Sequence, residues 1–209
     1  MSPRSLPSRR SAVGGSCDCI HHLETGPIAM STCMRCLGTG VTDPRRDLTL
    51  KRNREMRIPT QEDIFQFDGA HCKRLYASIG ADWRCPGCYR TKYQLMRWTK
   101  RFPGSPNAFM GWVVGLHKHH DHSTWPGRFA ETLVCEQCNS ADATAKRVLG
   151  LPKAFSFSPS EIRQFVLGTP HGWHLIQYHV AAALYEKLWR SVPPPAPAPL
   201  IIGPTGTRP

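Results

Sequence analysis

The chain reads as an α+β protein, mainly helical, in which a small metal-stapled core carries helical extensions on its N- and C-terminal sides. Three observations lead there. Cys85-Pro-Gly-Cys88 and Cys135-Glu-Gln-Cys138 are two CxxC pairs separated by 46 residues, able together to supply four thiolates to one tetrahedral zinc ion. Two segments between them are strand-like, whereas segments outside carry the caps and stops of helices. A chain of 209 residues holds one medium domain or two small ones, and a zinc site relieves such a unit of the need for a large apolar core.

Taken in order, residues 1–15 are Ser, Pro and Arg with little apolar content and are expected to be disordered. Residues 16–58 follow as a candidate zinc knuckle and a basic linker. Cys17-Asp-Cys19 and Cys33-Met-Arg-Cys36 bracket a short loop with His21 and His22, and Gly38 and Gly40 would help the chain turn back around an ion. CxC is a less usual zinc spacing than CxxC, so a second zinc site and loose thiols stay open as alternatives. From Asp43 to Arg57 the linker is polar, with six basic against three acidic residues.

The core is expected over 59–150. Thr60 with Asp63 predicts an N-capped helix through Phe67. Asp68 to Ile79 predicts another, stopped at Gly80, with Cys72 as a buried structural thiol. Arg90 to Phe102 also reads as a helix, ended by Pro103-Gly104. Its Arg90, Gln94, Arg97 and Arg101 would share a face as candidate phosphate contacts, with Tyr93, Leu95 and Met96 on the other side. Phe109 to His120 and Phe129 to Val134 read as strands, with Pro126-Gly127 as a turn. Asn139 to Leu149 reads as a helix stopped by Gly150-Leu151-Pro152, with Asn139 a natural N-cap and Asp142 at the third helical position. In 151–190, Ser158-Pro159-Ser160-Glu161 is a capping box opening a helix to Leu167, and His174 to Trp189 is a last helix. Residues 191–209 form a Pro-rich, disordered tail.

The net charge of +12 is unevenly placed: Trp83 to His120 has seven Lys or Arg and no Asp or Glu. Such a field favours a polyanion, DNA or RNA being the simplest, against the alternative of a solvated face. No apolar run approaches the roughly 20 residues of a membrane span. Nine cysteines would suit a secreted disulfide protein, but CxC and CxxC spacings are more often metal-binding inside cells. The Arg/Ser start lacks an apolar h-region and only weakly suits a transit peptide. A cytoplasmic, bacterial or phage-encoded protein is expected, nucleoid association being compatible with its charge.

Within the CxxC frame lies Leu116-His-Lys-His-His-Asp-His122, followed by Leu133-Val-Cys-Glu-Gln-Cys-Asn-Ser-Ala141. With Cys85 and Cys88 this pattern resembles the HNH, or His-Me finger, nucleases, in particular the recombination endonuclease VII type, over about Trp83 to Leu149. The resemblance implies a zinc-stabilised ββα-metal core and metal-dependent cleavage of DNA leaving 5′-phosphate and 3′-hydroxyl ends. It implies zinc on Cys85, Cys88, Cys135 and Cys138, His120 as the general base, and His119 and Asn139 as ligands of a catalytic Mg or Mn ion. Where this chain has His119 the endonuclease VII pattern has Asp, which shifts metal preference away from Mg. A homodimer is compatible with cutting both strands.

A neutral imidazole near pH 7 suits the base, and an ion with few protein ligands keeps positions for phosphate oxygens. In a regular strand His119 and His120 would face opposite ways, so the strand must end or bulge there. Asp121 and His122 would then orient His120 or meet phosphate. Lys118, Lys146 and Arg147 are further candidate phosphate contacts, with a solvated face as the alternative. His117 or His122 taken alone reads as a surface histidine, and His171, His174 and His179 as ordinary helix or loop residues. The competing class is a zinc-finger nucleic-acid binder without catalysis.

Overall fold

The computed structural model describes residues 33–37, 40–69, 72–101, 104–106, 108–122 and 127–191. The expected disordered start, Cys17, Cys19, His21, His22 and almost all of the Pro-rich tail lie outside them. Among the described residues the fold is mixed α/β, with six helices and three two-stranded antiparallel sheets. No helix among them is long and apolar enough to cross a membrane.

The expected linker contains a helix, α1 (Pro44–Arg54). Asp43 caps it by accepting the Arg45 amide at 2.9 Å, Pro44 sits in the first turn, and Lys51, Arg52 and Arg54 sit at the C-terminal end, where basic groups suit the helix dipole. Thr60 and Asp63 form a reciprocal capping box that opens α2 (Gln61–Phe65). Asp63 also accepts the Trp112 indole N–H at 2.8 Å, tying α2 to the sheet behind it. The helix expected from Asp68 shrinks to α3 (Lys73–Ala77). Cys72 precedes it, half-buried, its sulfur accepting the Val114 amide at 3.1 Å.

The helix expected over Arg90 to Phe102 is absent. Thr91 and Gln94 exchange side chain–backbone hydrogen bonds at 3.0 and 3.2 Å, as at a helix start, but the chain leaves that turn as β1 (Arg97–Arg101). It pairs with β2 (Phe109–Val113) in the register Arg97↔Val113, Trp98↔Trp112 and Thr99↔Gly111. The cross-strand Trp98–Trp112 pair packs edge to face at 5.3 Å. Aromatic and β-branched partners on a pleated surface outweigh the weak helical period of the arginines.

The long expected strand Phe109 to His120 breaks at Val114-Gly115 into β2 and β3 (Leu116–His119). At Gly115 a side chain would collide with that of Glu136, whose amide hydrogen-bonds the Gly115 carbonyl at 2.8 Å. β3 pairs with β4 (Thr132–Cys135) in the register Leu116↔Cys135 and His119↔Thr132. β4 runs directly into α4 (Glu136–Leu149), which ends on Gly150 at φ 68, the expected left-handed stop. The order strand, loop, strand, CxxC, helix is as expected.

Ser158 and Glu161 form the expected capping box of α5 (Pro159–Phe165). The chain then makes a short hairpin, β5 (Val166–Leu167) with β6 (Leu175–Ile176), before α6 (Tyr178–Ser191), so the last helix starts four residues later than expected. α4 packs against the β3–β4 hairpin, α5 and α6. Their shared core buries Met96, Val134, Ala145, Phe157, Ile162 and Phe165 around Cys85, Cys135 and Cys138.

Candidate functional site

Cys85 and Cys88 flank a tight knuckle in which the Tyr89 amide bonds the Cys85 carbonyl at 2.7 Å. A side chain at Gly87 would come within 2.8 Å of Cys138 Sγ, so only glycine lets the knuckle close over the second pair. The other two cysteines bracket the start of α4. Cys135 is its N-cap, its sulfur accepting the Cys138 amide at 3.4 Å.

All four sulfurs lie within 4.8 Å of one another, and Cys85–Cys138 and Cys88–Cys135 are each 3.7 Å apart. A tetrahedron with metal–sulfur bonds of about 2.3 Å has edges of about 3.8 Å. The four cysteines could therefore hold one ion such as zinc. Hydrogen bonding to Cys135 draws the Cys88 thiol far below its ordinary pKa and drives that of Cys138 far above it. Four thiols so crowded divide their protons unequally, whereas a soft divalent ion ionises them together.

Arg90 closes this cluster from the side. It is buried, with Nε donating to Cys88 Sγ at 3.4 Å and Nη2 to Cys135 Sγ at 3.7 Å. Its remaining donors reach the Thr169 and Gly172 carbonyls at 2.9 and 3.0 Å and His174 Nε2 at 2.9 Å. Coulombic attraction to the cysteines raises its pKa against the opposing effect of burial. Arg90 is thus a partner of the cysteines and not a phosphate contact. Its signal in the sequence is a cation two residues after a CxxC, in a stretch with no acid to pair it. His174 carries more than an ordinary loop role, since it receives that guanidinium while burial lowers its own pKa.

The second cluster sets the end of β3 against the same helix. β3 ends at His119, so His119 turns inward and His120 stays exposed just beyond the strand, which meets the requirement that the strand stop there. His119 is 2 % exposed. Its Nε2 donates to the Phe157 carbonyl at 2.7 Å, and its Nδ1 lies 3.2 Å from Asn139 Oδ1. The carbonyl can only accept, so Nε2 carries a ring proton, and Nδ1 is the nitrogen that faces Asn139. Phe129 stacks on the ring at 5.3 Å and 19°.

Asn139 is not the N-cap of α4, because Cys135 caps the helix four residues earlier. That shift frees the Asn139 side chain to meet His119. One and two turns farther along, Asp142 accepts the Phe157 amide at 2.9 Å, and Lys146 pairs with Asp142 at 3.0 Å while donating to the Phe155 carbonyl at 2.8 Å. α4 thereby rivets the irregular segment whose Phe157 carbonyl orients His119. Lys146 serves this anchor from a largely buried position and is not a phosphate contact.

His122 lies tilted against His120 at 55°, ring centroids 4.6 Å apart, and burial followed by the Lys146 charge lowers its pKa. Asp121 accepts the Arg128 amide at 2.8 Å, bracing the loop between β3 and β4. Arg128, unremarked in the sequence, also bonds the Ser156 carbonyl at 2.8 Å and Glu161 at 2.6 Å. Of the remaining basic candidates, Arg97 is turned inward onto Glu136 at 3.0 Å. Arg101 ends β1, its side chain outside the described set. Lys118 is exposed and pairs with Glu131 at 2.8 Å, and Arg147 is exposed on α4. Cys33 and Cys36 are buried side by side in a separate small cluster. The chain matches no protein-family model, no curated protein and no solved structure with which it was compared.

Proposed function

We propose that the chain is a metal-dependent DNA endonuclease in which β3, β4 and α4 form a ββα-metal core of the His-Me finger type, stapled by zinc on Cys85, Cys88, Cys135 and Cys138. One observation carries the reading: His119 Nδ1 faces Asn139 Oδ1 at 3.2 Å while His119 Nε2 is spent on the Phe157 carbonyl. Metal-binding histidines typically donate their other ring N–H to a carbonyl or carboxylate, which fixes the tautomer. With Nδ1 unprotonated, its lone pair and the Asn139 Oδ1 beside it would together fit a divalent cation such as Mg or Mn. When bound, that ion supplies charge neutralisation at the scissile phosphate.

On this reading His120 takes the proton from the attacking water; it is exposed, adjacent to His119 in the chain and just beyond the end of β3. His122, held below its ordinary pKa, stays uncharged beside His120 near neutral pH and so does not oppose proton uptake there by repulsion. Asn139 adds an oxygen without the negative charge that would repel DNA. Asp142, Lys146 and Phe157 hold His119 in orientation, and Lys118 and Arg147 remain on the surface for phosphate. A DNA-binding zinc module without catalysis has no use for the His119–Asn139 arrangement.

Plasmid nicking by the full chain tests this. Supercoiled DNA should be nicked in Mn or Mg and spared when chelator removes the added ion. Failure to nick with either metal, in protein that binds DNA, would favour the binding module.

A further inference from the structure

A groove between α1, β1 and the 168–174 loop shares no residue with either cluster. Its walls carry Arg52, Arg57, Arg97, Trp98 and Trp173, with Glu55 its one carboxylate. Trp98 and Trp173 keep 37 % and 39 % of their surface exposed. Neither ring is left loose. Asn53 accepts the Trp173 amide at 2.7 Å and donates to its carbonyl at 3.0 Å, clamping that backbone to α1. Trp98 is set edge-on against Trp112.

The guanidiniums lie on these rings: Arg57 over Trp98 at 3.8 Å, Arg97 over Trp173 at 4.2 Å, and Arg52 at 5.8 Å from Trp173. Arg97 is already paired with Glu136 in a largely buried contact; Arg57 pairs with Asp63 at 3.7 Å but is half exposed, and Arg52 is exposed, so both can swing to a new anion.

We infer that this groove binds a stretch of unpaired DNA, bases stacking on Trp98 and Trp173 and the phosphates between them meeting Arg52 and Arg57. Rigid aromatic faces alternating with mobile cations are the elements of single-strand recognition. A duplex offers the cations its phosphates but hides its base faces, so it leaves both tryptophans unused. The inference rests on the reading of DNA as the partner and narrows it to DNA with unpaired bases. The groove also adjoins the proposed centre: Arg97 pairs with Glu136, and Asn139 lies three residues on, about 4.5 Å along the helix axis.

The test is fluorescence polarisation with labelled oligothymidylate and with an equally long abasic sugar–phosphate chain, in buffer without added divalent ion so that nothing is cut. The native chain should bind oligothymidylate more tightly than the abasic chain. Trp173→Ala should weaken the first by roughly fivefold or more, and leave the second unchanged. Trp173→Phe, which keeps a stacking face, should retain most of the affinity. Equal binding of the two oligomers by the native chain would overturn the inference, as would equal loss on both in Trp173→Ala. Plasmid nicking is scored separately. Nicking without a preference for oligothymidylate sinks the groove alone, and that preference without nicking supports the groove while sinking the catalytic reading.

Discussion

The cysteine cluster and the histidine cluster begin one residue apart on α4, at Cys138 and Asn139, yet they are built to opposite plans. Around the cysteines every donor comes from the protein, all are soft sulfurs, and Arg90 seals the side. Around His119 and Asn139 the chain offers one nitrogen and one oxygen against a buried wall, with His120 exposed next to them. A closed set of four ligands suits an ion that holds structure, whereas a site with positions left over suits one that meets a substrate. On the proposed reading one helix start would serve both purposes, the N-cap sulfur of Cys135 fixing the turn on which Asn139 stands.

If that division is right, damage to the two clusters should separate cleanly. The largest effect is expected at the closed site. Cys135→Ser removes one of the four sulfurs and its Arg90 contact while leaving a hydroxyl able to cap α4, and should abolish cooperative folding and zinc retention, read by circular dichroism and metal analysis. Native protein should carry about one zinc per chain on these ligands, and well-folded protein with none would break the comparison at its root.

A smaller loss is expected from the rivet joining the two sites. Asp142→Ala leaves the Phe157 amide without its acceptor and Lys146 without its buried partner, and should cost about 3–5 kcal/mol in denaturant unfolding. A cost below about 1 kcal/mol would place that network outside the folded core.

At the open site metal dependence should change more than stability, although His119→Ala also leaves the Phe157 carbonyl without its donor, a cost of about 1–3 kcal/mol. His119→Ala and Asn139→Ala should raise the Mn or Mg concentration needed for half-maximal nicking, with partial recovery at high metal. His119→Asp should stay active and shift preference toward Mg. Variants as metal-sensitive as the native chain would dissociate these two residues from the ion. The smallest effect belongs to Lys118→Ala. Its exposed pair with Glu131 should contribute under about 1 kcal/mol to stability. Its loss should flatten the salt dependence of DNA binding by about one unit, if it meets a phosphate.

Much of this arrangement was legible because the signals are local and strongly chemical. Four cysteines at CxxC spacing, the Thr60 and Ser158 capping boxes and the Gly150 stop each depend on neighbours within a few residues. What failed depends on partners far along the chain. The Arg90–Arg101 stripe looked helical because arginines recur at about the right interval, but the Trp98–Trp112 pairing that makes the segment a strand becomes visible only once the hairpin is closed. Arg90 and Lys146 seemed phosphate ligands because charge is assumed to seek water, whereas each spends its donors on buried acceptors from later segments. α1 was missed for the opposite reason. It has almost no apolar periodicity, and only the Asp43-Pro44 start marks it.

On the proposed reading His120, exposed beside the buried His119, does chemistry while the cysteines do not. That division is tested most directly by His120→Ala, assayed for plasmid nicking in Mn with zinc content and DNA affinity measured on the same preparation. Cleavage should fall by about 10²–10⁴-fold, as for a positioned acid–base group, with zinc and affinity unchanged. Undiminished cleavage by His120→Ala would contradict the account.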